Sequence, residues 1–177
     1  IAVHTDVVSL PQLYAWCEEA YDPAIAHGLN RVIARPFVGE YPTFVRTPDR
    51  RDFTMAPPKP TVLNALEQPG VRTLGSGKIA SLFAHDGVPH AISTKNNHEG
   101  MEATLRAMRE RRADFVFTNL VDFDQEYGHR RNPEGYHQCL QEFDARLPEF
   151  LAAMQPGDLL ILTADHGNDP TFKGTDH

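Results

Sequence analysis

The sequence predicts an α/β fold, with a mostly parallel β-sheet that carries helices on both faces, next to part of a smaller α+β domain. From residue 61 onward, short apolar segments alternate with amphipathic segments of helical spacing. The apolar segments are hydrophobic on both faces, which is typical of parallel strands covered by helices on both sides. Residues 39–60 interrupt this pattern, because they are rich in Pro, Thr, Arg and Asp and show no periodicity. We interpret them as a linker or as a long excursion between two units.

Two elements are predicted before this linker, and residues 1–3 indicate a strand already under way. A helix is predicted over residues 7–20, with Ser9 as its N-cap and Pro11 near its start. A strand is predicted over residues 30–37, where apolar and basic residues alternate. One face of this strand carries Arg31, Ile33 and Arg35.

After the linker, helices and strands alternate along the chain. Asn132-Pro133 marks the start of the longest helix, and Gly75-Ser76-Gly77 leads into a shorter one. Helices are predicted over residues 61–68, 76–84, 97–112 and 133–154. Strands are predicted over residues 71–74, 91–93, 115–121 and 159–163.

Composition limits the classes of partner. The formal net charge is −7, and no block of consecutive Lys or Arg is present, so nucleic acid is not an expected partner. No apolar run approaches the roughly 20 residues that cross a bilayer, so we expect no membrane partner. The two cysteines form no CxxC motif, which favours a reducing, cytoplasmic setting. Because the chain starts at Ile1 and ends at a histidine, we interpret it as a fragment.

An aspartate and a histidine follow the last predicted strand. Residues 158–170 read DLLILTADHGNDP, so an apolar segment leads directly to Asp165 and His166 and then to a Gly-Asn turn. Neighbouring side chains of a strand point in opposite directions, so both can reach one ion only where the backbone turns, as the glycine permits. An isolated Asp-His pair is more typical of a helix cap beside a surface histidine. Its position after LLILT favours metal ligation.

A second set of potential ligands follows the strand predicted over residues 115–121. Asp124 and His129 are five residues apart, a spacing that suits a loop or a single helical turn around one ion. Asp122 competes with Asp124 for this role, and the alternative for His129 is a solvated basic cluster with the two arginines that follow it. Carboxylate and imidazole together suit Mn²⁺, Zn²⁺ or Fe²⁺ better than Ca²⁺.

We expect the two sets of potential ligands to lie close together. Carboxyl ends of parallel strands meet at one edge of a sheet, where ligands of α/β proteins bind. His177 is a candidate metal ligand only as the third ligand of the ion held by Asp124 and His129. Together the three segments supply enough donors for two divalent cations, and they predict a dinuclear metal site that acts on phosphate.

Four longer segments carry a family resemblance. They read VIARPFVGE, GSGKIASLF, NLVDFDQEYGHRRNPEGY and LLILTADHGNDPTFKGTDH. The chain thereby resembles the phosphopentomutases, metal-dependent isomerases of the alkaline phosphatase superfamily, over nearly its whole length. The resemblance implies interconversion of ribose or deoxyribose 1-phosphate and 5-phosphate through a phosphothreonine enzyme, with a bisphosphorylated sugar as activator.

The resemblance also implies site residues. Two Mn²⁺ ions are expected, with Mg²⁺ or another divalent ion as alternatives. One would be held by Asp124, His129 and His177, and the other by Asp165 and His166. The family's nucleophilic threonine and a further aspartate ligand belong to an N-terminal segment not matched in this chain, so no catalytic residue is assigned and these 177 residues alone are expected to be inactive.

Substrate contacts and domains follow from the same resemblance. Arg31, Ile33 and Lys78 are expected to bind the small-molecule sugar phosphate, since guanidinium groups match phosphate geometry. Residues 1–55 would form part of a cap domain, and residues 56–177 part of the metal-binding α/β core. The alternatives are another superfamily phosphomutase or phosphatase, such as a cofactor-independent phosphoglycerate mutase, and an incomplete fragment that acts only as a binding module.

Overall fold

A computed structural model describes residues 1–67 and 69–174, and the chain folds into two units, Ile1–Lys59 and Pro60–His177. The first unit contains a four-stranded sheet and one long helix. Its elements are β1 (Ala2–His4), α1 (Leu10–Ala26), β2 (Arg31–Val38), β3 (Val45–Arg46) and β4 (Arg51–Thr54). Strand β2 pairs in parallel with β1 and antiparallel with β3 and β4.

Helix α1 begins directly after its predicted N-cap and ends later than predicted. The Ser9 hydroxyl accepts a hydrogen bond from the backbone N–H of Gln12 at 3.4 Å, as expected of an N-cap. The helix passes Pro23 and ends at Ala26, beyond the predicted end at residue 20. Gly28, at φ +80°, terminates it in the left-handed conformation that glycine adopts without strain.

Of the two interpretations of residues 39–60, the linker is wrong, because the segment contains β3 and β4 of the first unit. Strand β4 pairs with β2 in a register that sets Ile33 opposite Asp52 and Ala34 opposite Arg51. Two consecutive charged residues conceal the alternation of β4 in the sequence, although Phe53 packs against the core of this unit. That core consists of Val3, Leu13, Cys17 and Ala34.

The second unit contains a parallel sheet, as the sequence predicts, and its strand order is β6-β5-β7. Its strands are β5 (Thr73–Ser76), β6 (His90–Ile92) and β7 (Phe115–Thr118). Its α-helices are α2 (Val62–Glu67), α3 (Ile79–Leu82), α4 (Asn97–Arg109) and α5 (Pro133–Ala153), and a π-helix spans Phe123–Gly128.

Helices cover both faces of this sheet. Phe115 and Phe117 of β7 pack against the cluster formed by α2 and α3. Thr118 has the opposite orientation because side chains alternate along a strand, and its hydroxyl lies 2.6 Å from that of Thr104 on α4. The predicted α/β fold is confirmed. No helix of the described residues is both long enough and apolar enough to span a bilayer.

The predicted strand over residues 159–163 is absent. These residues have no regular secondary structure, and among the described strands none pairs with them. Leu159 is 82% exposed and Ile161 is 72% exposed, whereas Leu160 packs against the α4–α5 core. A strand requires a neighbour for its backbone hydrogen bonds, and hydrophobicity alone does not supply one.

One surface ion pair links the residues that directly precede β5 and β7. The Arg72 guanidinium donates to both carboxylate oxygens of Asp114, at 2.8 and 3.0 Å, and the Arg72 backbone N–H donates to the same carboxylate at 3.0 Å. These hydrogen bonds lower the pKa of Asp114 to about 2.

We predict that Asp114→Asn reduces the acid sensitivity of folding. The folded-state pKa lies below the unfolded value of about 3.9, so the stabilisation is complete above about pH 4 and is lost as the pH falls toward 2. The stability difference between the wild type and Asp114→Asn should therefore shrink from pH 5 to pH 2. Urea unfolding across this range measures it, and a difference that does not vary with pH would contradict the prediction.

Candidate metal centre

The π-helix brings Asp124 and His129 together. Its backbone bond from the His129 N–H to the Asp124 carbonyl oxygen, at 2.9 Å, spans five residues, as in one turn of a π-helix. The two side chains consequently emerge on the same side, and Asp124 Oδ2 lies 3.4 Å from His129 Nε2. Single π-turns occur frequently at functional sites. The sequence predicted the pairing from the five-residue spacing, but not the π-turn.

Asn168 joins the second candidate segment to the first. Its side-chain amide donates to Asp124 Oδ1 at 2.9 Å, across 44 residues of sequence. Gly128 makes this contact possible, because a Cβ atom at that position would overlap the Asn168 side chain. The sequence identified Asn168 only as part of a turn. The contact places the DHGND segment against the π-helix, so the two loops meet.

Asp165 and His166 form a pair of their own in the exposed part of this loop. Asp165 Oδ2 lies 3.7 Å from His166 Nε2, and Asp165 Oδ1 accepts a hydrogen bond from the His166 backbone N–H at 3.1 Å. The Asp165 side chain is 73% exposed, and that of His166 is 38% exposed. The carboxylate and the imidazole ring are thus both accessible from solvent.

The donor geometry fits a divalent ion. Two ligands that each bind one ion at about 2.1 Å lie roughly 3 Å apart or slightly more, and the Asp124–His129 separation of 3.4 Å is of that size. Carboxylate oxygen and imidazole nitrogen suit Mn²⁺ or Zn²⁺. Over residues 1–67 and 69–174 these donors occur as pairs, and no group of three or more acidic, His or Cys residues is formed there. His177 lies outside the described residues.

Asp122 has a different environment from Asp124. Its Oδ2 atom accepts a hydrogen bond from the Asn97 backbone N–H at 2.7 Å, while its own backbone N–H donates to Asn97 Oδ1 at 2.9 Å. Its other oxygen is buried and has no hydrogen-bond partner among the described residues. The Asp122 carboxylate is therefore directed to the start of α4, and the geometry favours Asp124 as the ligand.

Lys78 lies beside the π-helix. Its Nζ atom donates to the Gln125 side-chain oxygen at 2.9 Å. The predicted helix over residues 76–84 is shorter than expected, since Ser76 belongs to β5 and Lys78 is the N-cap of the four-residue α3. Gly77, at φ +75°, lies so close to the Asn119 carbonyl oxygen that a Cβ atom would overlap it. This turn delivers Lys78 to the carboxyl end of the sheet.

Arg31 and Ile33 belong to the first unit. Arg31 is exposed on β2, and its Nη1 atom lies 3.7 Å from Asp52 Oδ2. Asp52 is also held by two hydrogen bonds from Arg50, at 2.7 and 2.8 Å. The Arg50 hydrogen bonds lower the pKa of Asp52 most strongly, and the nearby charges of Arg50, Arg31 and Arg35 contribute in the same direction. This face of β2 is thus basic, with one carboxylate among the guanidinium groups.

Comparison with known proteins supports the family resemblance. The chain is 52% identical to a phosphopentomutase of Chromohalobacter salexigens, 48% to one of Clostridioides difficile and 47% to one of Alkaliphilus metalliredigens. Each alignment covers the whole chain but only 43% to 46% of the relative, so the chain spans less than half the length of these proteins. The predicted resemblance to phosphopentomutases is confirmed.

A family model gives the broader assignment. The model described as the Metalloenzyme superfamily matches residues 61–177, which include the parallel sheet, the π-helix and both Asp-His pairs. The match covers well over half of the sequence. The chain belongs to the Metalloenzyme superfamily.

Proposed function

We propose that the protein containing this chain is a phosphopentomutase that interconverts the 1-phosphates and 5-phosphates of ribose and deoxyribose. The observation that carries this proposal is the Asp124–His129 pair, held against the DHGND loop by Asn168, in a chain about half identical to three phosphopentomutases. We place the reaction in the cytoplasm and expect no nucleic acid or membrane partner.

Two divalent ions, Mn²⁺ by preference, would neutralise developing charge on the transferred phosphoryl group when bound. Asp124 and His129 would hold one of them with His177, and Asp165 and His166 would hold the other. The Asn168 amide fixes the orientation of the Asp124 carboxylate through its 2.9 Å hydrogen bond. The phosphorylated threonine and a further aspartate ligand would come from a part of the protein outside these 177 residues, with a bisphosphorylated sugar as activator.

Three residues would bind the substrate. The Lys78 ammonium group donates a hydrogen bond to Gln125 of the π-helix, and from this position it would bind the reacting phosphate. Arg31 offers a planar guanidinium for the non-reacting end of the sugar phosphate, and Ile33 shares its face of β2. We assign residues 1–55 to part of a cap domain and residues 56–177 to part of the core.

The test is an assay of the full-length protein that contains this sequence. Conversion of ribose 1-phosphate to ribose 5-phosphate should be lost after treatment with EDTA and restored by Mn²⁺. In the same assay, Arg31→Ala should raise KM for ribose 5-phosphate. Turnover of phosphoglycerate but not of pentose phosphates would contradict the proposal and favour a phosphoglycerate mutase.

A further inference from the structure

One buried asparagine connects three elements around the candidate metal centre. Asn97, 5% exposed, exchanges two hydrogen bonds with Asp122, which directly precedes the π-helix. Its side-chain amide also donates to the Cys139 sulfur on α5 at 3.1 Å. Asn97 therefore links the start of α4 to the residue before the π-helix and to α5, the helix that follows it.

We propose that Asn97 and Asp122 are positioning residues for the Asp124–His129 metal pair, an inference that rests on the proposed metal-dependent function. The reciprocal bonds determine where the π-helix begins relative to α4. The distance between the two ligands is set inside the π-helix. The location of the pair at the edge of the sheet depends on the two hydrogen bonds between Asn97 and Asp122.

The strength of the contact between Asn97 and Asp122 follows from its burial and charge. Asp122 Oδ2 lies at the N-terminus of α4, a helix of 13 residues, where backbone N–H groups and the helix dipole favour an anion. Hydrogen bonds to a carboxylate are shorter and stronger than bonds between neutral groups. Removal of either side chain leaves a polar group of the other residue without its partner in a buried site.

The neighbouring contact between Thr104 and Thr118 provides a matched control. It joins α4 to β7 through a 2.6 Å hydrogen bond between partly buried hydroxyls, and both residues lie outside the π-helix. Thr104→Val should reduce stability, because it removes this hydrogen bond and the one from the Thr104 hydroxyl to the Gly100 carbonyl oxygen at 2.7 Å. It should leave the location of Asp124 and His129 unchanged.

The experiment measures the Mn²⁺ dissociation constant of the full-length protein by isothermal titration calorimetry, and the Tm of each metal-free variant. We expect Asn97→Ala and Asp122→Ala to raise the dissociation constant about 10- to 100-fold, as loss of an outer-shell partner does at other metal sites. Thr104→Val should lower the Tm without weakening Mn²⁺ binding. Asn97→Ala changes no charge, so its effect on Mn²⁺ cannot arise from loss of the Asp122 anion.

A conservative variant keeps the proposal testable if the alanine variants do not fold. Asp122→Asn retains an oxygen acceptor for the Asn97 N–H and should weaken Mn²⁺ binding less than Asp122→Ala does. Unchanged Mn²⁺ binding in the Asn97 and Asp122 variants would overturn the positioning role alone. Equal weakening by Thr104→Val would also overturn it. Failure of the wild-type protein to bind Mn²⁺ would instead overturn the proposed function.

Discussion

Asp124→Ala should greatly reduce the proposed Mn²⁺-dependent phosphopentomutase activity of the full-length protein. Both oxygens of this carboxylate have a structural role, since Oδ2 faces His129 at 3.4 Å and Oδ1 accepts the Asn168 amide at 2.9 Å. The variant loses the proposed metal ligand together with the contact that joins the two loops. Because a bound metal contributes several kcal/mol to transition-state stabilisation, kcat/KM should fall by at least about 100-fold.

Asp144→Ala is the matched control for this substitution. Asp144 is an exposed aspartate of α5, and its replacement should leave activity and Mn²⁺ affinity unchanged. Steady-state kinetics at saturating Mn²⁺, with a parallel metal titration, measures both quantities. Wild-type kinetics in Asp124→Ala would contradict the assignment of this residue as a ligand.

Leu105→Ala should be the most destabilising single substitution among those considered. Leu105 is fully buried between α4 and α5, in a cluster with Met101 and Phe150. Truncation of a buried leucine removes its transfer free energy and leaves a cavity, which costs about 2 to 5 kcal/mol. The substitution weakens the packing between α4 and α5.

Leu140→Ala is the control for Leu105→Ala. Leu140 lies on α5 but is about half exposed, so its truncation should reduce the free energy of unfolding by less than about 1 kcal/mol. Urea unfolding followed by circular dichroism compares the two variants. A similar loss of stability in both would show that the α4–α5 contact is not a core of this unit.

The elements that the sequence predicted best are those with explicit boundary signals. Helix α5 begins at Pro133 after Asn132, whose side chain accepts from the Gly135 N–H at 3.0 Å. The parallel sheet was predictable because its strands are apolar on both faces. Helix α4 ends at Arg109, earlier than predicted. Arg111 then adopts a φ of +50°, a conformation usually marked in a sequence by glycine, and arginine gives no such signal.

Other features depend on partners that periodicity does not reveal. Strand β4 forms because it pairs with β2, although half of the residues in its own sequence, Arg51–Thr54, are charged. The apolar residues 159–163 lack a neighbouring strand among the described residues and form no ladder. In both cases the presence or absence of a pairing partner determined whether a strand formed, and local propensity did not.

The two Asp-His pairs of the candidate site stand out in the sequence, whereas the contacts that support them do not. Five-residue spacing identified Asp124 and His129, and the strand-to-turn pattern identified Asp165 and His166. Asn168 and Asn97 were missed, because an amide that orients a ligand or a loop resembles any other turn or cap residue in the sequence. Both act across long separations, 44 and 25 residues, that only the fold brings together.

The most direct test of the account is anomalous diffraction from crystals of the full-length protein soaked in Mn²⁺. We predict two anomalous peaks at the carboxyl edge of the β6-β5-β7 sheet, one bound by Asp124 and His129 and the other by Asp165 and His166. Mn²⁺ bound elsewhere, or side chains of these two pairs directed to separate sides of the molecule, would contradict it.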